Sequence, residues 1–240
     1  MTRRRFIADE FSADRAALTG EHADHLVRVL RARVGQEFEI AAGSSLRLGK
    51  IASVDRGRVE FELGEAVSSQ ALTKISLALS IFKFDRMEWA IEKCTELGVA
   101  RIIPVIARRT DVHLAAASAK RVERWQRIAL QASEQSRRSV PPEIAPPVNL
   151  AEMIGERQSG LRIVLSESED RALLRDAVKS GVPPGGVLLA IGPEGGWAED
   201  ELQSFRKAGW PSASLGNTIL RAETAAIAAT VVVFSSLSSL

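Results

Sequence analysis

An apolar run followed at once by a glycine-rich turn constrains the fold of this chain more than any other feature. The run is Val187–Ile191, and the turn Gly192–Gly196 reads G-P-E-G-G. A short apolar run bounded by glycines predicts a strand buried on both faces, as in a parallel sheet. Three acidic residues then open a predicted helix, Ala198–Lys207, which Gly209 closes. The sequence therefore predicts a strand–loop–helix unit.

The composition of the turn bears on what it could bind. Its spacing matches neither G-x-G-x-x-G nor G-x-x-x-x-G-K-[ST], and Glu194 places a carboxylate where a phosphate loop presents N–H groups and a lysine. These features argue against a nucleotide phosphate. Glycines permit positive φ or the close approach of a ligand, so the loop indicates either a ligand site or a tight turn without one.

A second block lies shortly after the first. A short strand is predicted at Ala213–Leu215, and an alanine-rich helix is predicted from Ala222 to about Ser236. A polar cluster, Arg221, Glu223 and Thr224, lies at the start of that helix. The helix is apolar almost all round and must be buried, either inside its own domain or against another chain.

The two blocks, I-G-P-E-G-G and L-G-N-T-I-L-R-A-E-T-A-A, closely resemble the SPOUT class of RNA methyltransferases, and specifically the ribosomal RNA small subunit methyltransferase E family. This resemblance implies methylation of N3 of a uridine in 16S ribosomal RNA with S-adenosylmethionine as cofactor. It implies a parallel α/β sheet with a C-terminal trefoil knot, which neither composition nor periodicity shows. It also implies a homodimer that acts on the assembled small subunit.

Ligands of a parallel α/β sheet gather at the carboxyl ends of its strands, where three loops of this sequence fall. By resemblance, these loops bind the cofactor. The candidate cofactor-binding residues are Leu165, Ser166, Glu167, Leu189, Gly192, Pro193, Glu194, Gly195, Gly196, Leu215, Gly216, Asn217 and Leu220.

The polar cluster supplies the candidate catalytic residues. An imide nitrogen must lose its proton to attack a methyl group, so we expect Arg221 to stabilise or orient the uracil anion. Glu223 or Thr224 would then fix Arg221 or move the proton. The alternative is that Arg221 and Glu223 form a purely structural ion pair at the helix start.

The first seventy residues have a different pattern. Short alternating segments at Arg5–Ile7, Glu37–Ala41, Leu46–Val54 and Arg58–Leu63 predict a small β-barrel, interrupted by a helix over Glu21–Arg33. The motif H-x-x-R-V-L-R-x-x-x-G-Q resembles the PUA-like RNA-binding domain of the same family. The resemblance makes His25, Arg28 and Arg31 candidate RNA contacts, although an ordinary solvated helix face has the same charges.

A polar stretch, Ser68–Gln70, predicts a boundary between a PUA-like domain, 1–70, and a methyltransferase domain, 71–240. Strands at Ile75–Ile81, Arg101–Ile106 and Leu161–Leu165 alternate there with helices, which predicts a parallel sheet covered on both faces. The predicted helices include Asp85–Leu97 and a long one, Ser118–Arg138.

Basic residues are concentrated between Arg101 and Val140, where nine Lys or Arg face three Asp or Glu. This excess fits either RNA backbone binding or a solvated helix face. The segment E-Q-S-R-R matches the family pattern E-Q-S-x-R, which makes Arg137 and Arg138 candidate RNA contacts.

Composition and residue spacing also bear on disulfide bonds, metal binding and cellular location. The single cysteine, Cys94, excludes an intramolecular disulfide and fits a reducing compartment, and its apolar surroundings indicate a core position. His22 and His25 lack further ligands at a recognisable spacing, so we expect no metal. No signal peptide or membrane span is evident, so we expect a cytoplasmic protein.

Two other functions stay open. A non-catalytic RNA-binding assembly factor could use the same domains without turnover, but the intact glycines and polar cluster favour an enzyme. A ribose 2′-O-methyltransferase is the third possibility, from the wider SPOUT class.

Overall fold

The computed structural model describes residues 4–43, 45–67, 74–156 and 159–237. The chain forms two compact units, one of residues 1–71 with 133–141 and one of residues 72–132 with 142–240. The predicted boundary at Ser68–Gln70 lies outside the described residues. That residues 133–141 group with the first unit was not apparent from the sequence.

The first unit is built on one six-stranded sheet in the order β1-β4-β5-β6-β3-β2. The β1 and β4 strands are parallel and the other neighbours are antiparallel. We did not predict β2 and β3 from the sequence, because β2 is two residues long and β3 has too little alternation of apolar and polar residues. The strands are β1 (Arg5–Ile7), β2 (Glu10–Phe11), β3 (Arg15–Thr19), β4 (Glu37–Ala42), β5 (Ser45–Asp55) and β6 (Arg58–Ala66).

The helix predicted over Glu21–Arg33 is wrong beyond its first turns. A short helix, α1 (Gly20–Asp24), continues as a π turn over His25–Val29 and then stops. Arg31 has a φ of 52°, so the backbone leaves the helix there and turns back towards β4. A single π turn keeps Leu26 buried in the core, and apolar spacing alone therefore could not reveal it.

Polar contacts hold residues 133–141 within the first unit. The Ile7 N–H donates to Glu134 Oε1 over 3.1 Å, and the Arg5 guanidinium donates to the Arg137 carbonyl oxygen. The His22 ring lies between two carboxylates, with Nδ1 3.3 Å from Asp9 Oδ1 and Nε2 3.8 Å from Glu134 Oε2. The Asp9 carboxylate raises the pKa of His22, and burial raises the pKa of Glu134.

We expect the stability of the protein to fall as pH rises through the folded-state pKa of His22. That pKa lies above the ordinary 6.5, so the stabilisation is complete below 6.5 and is lost at higher pH. Urea unfolding followed by circular dichroism between about pH 6 and 9 tests this for the wild type and His22→Gln. The wild type should be the more stable at the acid end, and the difference should shrink with pH. A difference that is constant across this range would contradict the assignment.

The second unit contains a seven-stranded sheet in the order β10-β8-β7-β12-β11-β13, with β9 paired to β8. Every pairing described in it is parallel, which confirms the predicted parallel sheet. All five residues of the predicted strand Val187–Ile191 are buried. The strands are β7 (Ile75–Ser80), β8 (Arg101–Ile106), β9 (Glu143–Ile144), β10 (Val148–Asn149), β11 (Leu161–Leu165), β12 (Val187–Ile191) and β13 (Ser212–Ala213).

Helices cover both faces of this sheet. Alternate residues of β12 point to opposite faces, so Leu189 joins one hydrophobic cluster with α2 and α8, and Leu188 joins another with Trp197 and Phe205. Among the described residues, no helix is both long and apolar enough to span a membrane. The helices are α2 (Phe84–Glu96), α3 (Val112–Ala117), α4 (Val122–Gln135), α5 (Leu150–Gly155), α6 (Leu174–Ala177), α7 (Glu199–Lys207) and α8 (Ala222–Leu237).

The long helix predicted over Ser118–Arg138 is confirmed for most of its length, since α4 lies within it. Helix α3 begins after Asp111, which caps it by accepting from the His113 N–H over 2.8 Å. A 3₁₀ turn over Ser118–Arg121 separates α3 from α4, and Arg137, with a φ of 61°, follows the end of α4. The α-helix begins four residues later and ends three residues earlier than predicted, because the 3₁₀ turn precedes it and the left-handed Arg137 follows it.

Part of the basic excess is neutralised within the chain. Arg124 donates two hydrogen bonds to Glu88, and Arg121 lies 3.8 Å from the same carboxylate. Arg101 pairs with two glutamates, and Arg108 pairs with Asp200. At these positions the structure favours intramolecular ion pairs over a free cationic surface.

Candidate active site

A cavity of about 270 Å³ opens at the carboxyl ends of β11, β12 and β13. These strands are parallel neighbours, so the loops that follow them emerge at the same edge of the sheet. Ten of the thirteen candidate cofactor residues line the cavity. They are Leu165, Ser166, Glu167, Gly192, Pro193, Glu194, Gly196, Leu215, Gly216 and Leu220.

The other three candidates lie elsewhere. Leu189 is fully buried in the core, two residues and about 6.6 Å before the carboxyl end of its strand, too far back to reach the cavity. Gly195 and Asn217 are exposed loop residues outside the lining. The Gly195 carbonyl oxygen instead accepts a hydrogen bond from Arg109.

Sequence reasoning missed several lining residues, of which Arg109 and Trp197 are the most informative. Arg109 comes from the loop after β8, which emerges at the same edge of the parallel sheet. Trp197 follows the glycine turn directly, and its indole N–H donates to the Leu165 carbonyl oxygen over 3.0 Å. Considering every loop at the carboxyl edge would have found Arg109 from the sequence.

Two glycines of the turn leave little room for a side chain. Gly196 has a φ of 68°, and a Cβ there would lie 2.7 Å from Glu167 Oε1. A Cβ on Gly192 would lie 3.3 Å from Trp197 Nε1. The turn therefore packs tightly against the loop after β11, and its backbone faces the cavity without side chains in the way.

The charges of the lining favour a cationic ligand. Three carboxylates, Glu167, Glu194 and Glu199, face the cavity together with one guanidinium, that of Arg109. Apolar side chains, including Ile191, Leu202, Leu215 and Leu220, provide the rest of the wall. An apolar slot with an acidic rim suits a flat aromatic group joined to a cation, and it disfavours phosphate.

The polar cluster at the start of α8 divides into exposed and buried members. Arg221 and Thr224 are exposed, whereas the Glu223 side chain is only 6% exposed. Glu223 pairs with Arg86, whose Nε lies 3.8 Å from Glu223 Oε1, instead of with Arg221. No donor among the described residues forms a hydrogen bond to the second oxygen, Glu223 Oε2.

The five candidate RNA contacts all belong to the first unit. His25 and Arg28 lie in the exposed part of the π turn, and Arg28 is 3.5 Å from Asp24. Arg31 and Arg137 are exposed and are the non-glycine residues with positive φ among those described. Arg138 is half-buried, which lowers its pKa to about 10. Strained backbone and π turns concentrate at functional sites, which supports these candidates.

Metal ligands and the cysteine thiol are two other possible sources of chemistry. In the described part of the chain, no three His, Cys, Asp or Glu side chains form a group that could hold a metal ion. Cys94 is buried in the core of the second unit, and burial raises its pKa to about 12. A thiol with that pKa is a poor nucleophile, in agreement with its interpretation as a core residue.

Comparison with known proteins agrees with this arrangement. A family model described as an RNA methyltransferase domain matches residues 69–234, and one described as an RNA methyltransferase PUA domain matches residues 18–64. Ribosomal RNA small subunit methyltransferase E of Synechocystis is 33% identical over 87% of this chain and 69% of its own. The chain belongs to the ribosomal RNA small subunit methyltransferase E family. This confirms the predicted family.

Other similar proteins support the assignment over nearly the whole chain. The Bacillus subtilis member is 31% identical over 87% of this chain and 85% of its own length. The crystal structure of the Neisseria gonorrhoeae member, bound to S-adenosylmethionine, has a TM-score of 0.86 at 30% identity and covers 98% of both chains. A Legionella pneumophila protein in complex with the same cofactor has a TM-score of 0.87 at 30% identity over 98% of both chains. These matches confirm the mixed α/β fold with a PUA-like domain.

Proposed function

We propose that this protein transfers a methyl group from S-adenosylmethionine to N3 of a uridine in 16S ribosomal RNA. The observation that carries the proposal is the cavity at the carboxyl ends of β11, β12 and β13, with its acidic rim and apolar walls. Family membership supplies the reaction class, and the intact cluster at the start of α8 supplies the groups for catalysis.

The cavity fits the cofactor by charge and shape. When bound, S-adenosylmethionine supplies an electrophilic methyl group on a sulfonium cation. The carboxylates of Glu167, Glu194 and Glu199 favour that cation, and the leucines at positions 215 and 220 offer apolar walls for the adenine ring. The backbone of the glycine turn is open to the ligand because no Cβ intervenes. The ten predicted residues that line the cavity are the proposed cofactor-binding set.

Catalysis in this proposal depends on orientation and on charge. A uracil N3 carries a proton that must leave before or during attack, and the lost proton leaves negative charge on the ring. Arg221, exposed at the start of α8, stabilises that charge and orients the ring. Thr224 lies three residues further along the chain, is also exposed, and assists in holding the ring. Glu223 is the proposed proton acceptor, since it is the one carboxylate of the cluster.

The proposed domains are an RNA-binding domain of residues 1–70 and a catalytic domain of residues 71–240, and residues 133–141 of the second range belong structurally to the first unit. His25, Arg28, Arg31, Arg137 and Arg138 form its proposed contact surface, and their shared unit supports this. A shaped RNA target, such as an assembled small subunit in the cytoplasm, suits a protein with a separate RNA-binding domain.

We also propose the trefoil knot and the homodimer that the resemblance implies. The Leu174 N–H donates to the Ser214 carbonyl oxygen, and the Ser214 N–H donates to that of Ala172, so the segments after β11 and β13 pair side by side. An experimental backbone trace over 161–222 that showed no threading would contradict the knot. Trp89, Val231 and Phe234 are exposed on the packed helices α2 and α8, which supports a second copy there. Sedimentation at the monomer mass of 26.0 kDa would contradict the dimer.

A direct experiment is the transfer of a labelled methyl group from S-adenosylmethionine to small ribosomal subunits that lack this modification. Transfer to subunits with little transfer to free 16S ribosomal RNA is the expected result. RNA binding without transfer would instead favour a non-catalytic assembly factor. Gly196→Val is the matched loss-of-function control, because its Cβ would meet Glu167 and its φ is positive.

A further inference from the structure

Arg86 connects two parts of the candidate active site that are far apart in the chain. It lies in the first turn of α2, and its Nη1 is 3.5 Å from Glu194 Oε1 in the glycine turn. Its Nε is 3.8 Å from Glu223 Oε1 at the start of α8. One guanidinium thus faces a carboxylate from the cofactor loop and a carboxylate from the catalytic helix. Arg86 is not one of the described residues that line the cavity.

The burial of Glu223 makes this contact more than a surface ion pair. The Glu223 side chain is 6% exposed, whereas Arg86 and Glu194 are 31% and 38% exposed. A buried carboxylate requires a nearby cation or hydrogen-bond donors, and Arg86 is the cation that the structure provides. The nearest two atoms are Arg86 Nε and Glu223 Oε1, and the other oxygen, Oε2, is buried without a hydrogen-bond donor in the described residues.

The ion pair between Arg86 and Glu194 is more exposed than the pair between Arg86 and Glu223. Both side chains are partly exposed, so the attraction is weakened by water and adds little to stability. The pair instead affects the positions of side chains. The guanidinium that faces Glu223 also restrains the side chain of Glu194, which lines the cavity. The guanidinium therefore links a side chain of the cofactor loop to the carboxylate at the start of α8.

We propose that Arg86 is a positioning residue for methyl transfer: it holds the Glu223 carboxylate in place and ties it to the cofactor loop through Glu194. This inference rests on the proposed function and adds to it a residue outside both sequence blocks. Arg86 contacts neither cofactor nor base, and acts through the two glutamates.

The test compares single-turnover methyl transfer and cofactor affinity in a set of variants. We expect Arg86→Ala to lower the rate at saturating cofactor by about 10²-fold, as misplaced catalytic groups do. The dissociation constant for S-adenosylmethionine should change by no more than about threefold, since the lost pair with Glu194 is weak. Arg86→Lys should recover part of the rate, because an ammonium keeps the charge but cannot face both carboxylates.

A double-mutant cycle separates this role from a general loss of stability. If Arg86 acts through Glu223, then Arg86→Ala combined with Glu223→Gln should be no slower than the slower single variant. Rates that multiply would overturn the inference. Lys93→Ala is the matched control, because Lys93 is also on α2, is 33% exposed and bridges two glutamates away from the site. It should retain the wild-type rate.

The outcomes distinguish this inference from the proposed function. No transfer by the wild-type protein would overturn the proposed function itself. Transfer by the wild type together with an unchanged rate in Arg86→Ala would overturn only the role of Arg86. If Arg86→Ala does not fold, Arg86→Gln, which keeps most of the side-chain volume without its charge, provides the same comparison.

Discussion

Replacement of Arg221 by alanine is expected to lower the single-turnover rate of methyl transfer by about 10²- to 10³-fold, the loss typical of removing one group that stabilises developing charge. The side chain is exposed at the start of α8 and has no ion pair with Glu223, so it is free to meet the uracil. Cofactor affinity should be nearly unchanged, because Arg221 does not line the cavity. Rapid-quench measurements with saturating cofactor test this.

Two further variants make the Arg221 result specific. Arg221→Lys should give an intermediate rate, since it keeps the charge but loses the planar fork of donors. Arg175→Ala should behave like the wild type, because Arg175 is an exposed arginine on α6 outside the site. If Arg221→Ala retained its single-turnover rate within about threefold, the proposed charge stabilisation would be wrong.

Replacement of Gly186 by alanine is expected to lower the free energy of unfolding by more than about 3 kcal/mol, the range of a severe steric change in a core. Gly186 has a φ of 83°, and an added Cβ would overlap the Lys74 carbonyl oxygen. That oxygen accepts the Val187 N–H over 2.8 Å, at the beginning of the pairing between β7 and β12. The substitution therefore disturbs the centre of the sheet.

A matched glycine separates the overlap from the backbone conformation. Gly209 has a φ of 76°, but no atom lies within 4 Å of an added Cβ, so Gly209→Ala should cost only about 1–2 kcal/mol. Urea unfolding followed by tryptophan fluorescence reports on this unit, because all four tryptophans lie in it. Equal losses in the two variants would contradict the role assigned to Lys74.

The features that the sequence revealed are those set by local pattern. The strand Val187–Ile191 was predicted at its observed bounds, since five apolar residues between glycines have few alternatives. Helix α7 was predicted to within one residue, because its acidic first turn and Gly209 mark both ends. We predicted that the loops after β11, β12 and β13 lie together, because the carboxyl ends of parallel strands meet at one edge of the sheet.

The features that the sequence did not reveal depend on contacts between distant residues. The π turn at His25–Val29 and the left-handed Arg31 have the same apolar spacing as a regular helix. Residues 133–141 join the first unit through Glu134 and Arg137, which no local pattern indicates. The pairing of Arg86 with Glu223 joins α2 to α8, so Glu223 could not be separated from Arg221 without the fold.

The central claim is tested most directly by nucleoside analysis of small-subunit ribosomal RNA after methyl transfer by the purified protein. Mass spectrometry of the digested RNA should show N3-methyluridine, formed with the wild-type protein and greatly reduced with Arg221→Ala. A product methylated on a ribose 2′-hydroxyl, or no methylated nucleoside at all, would contradict the proposed function.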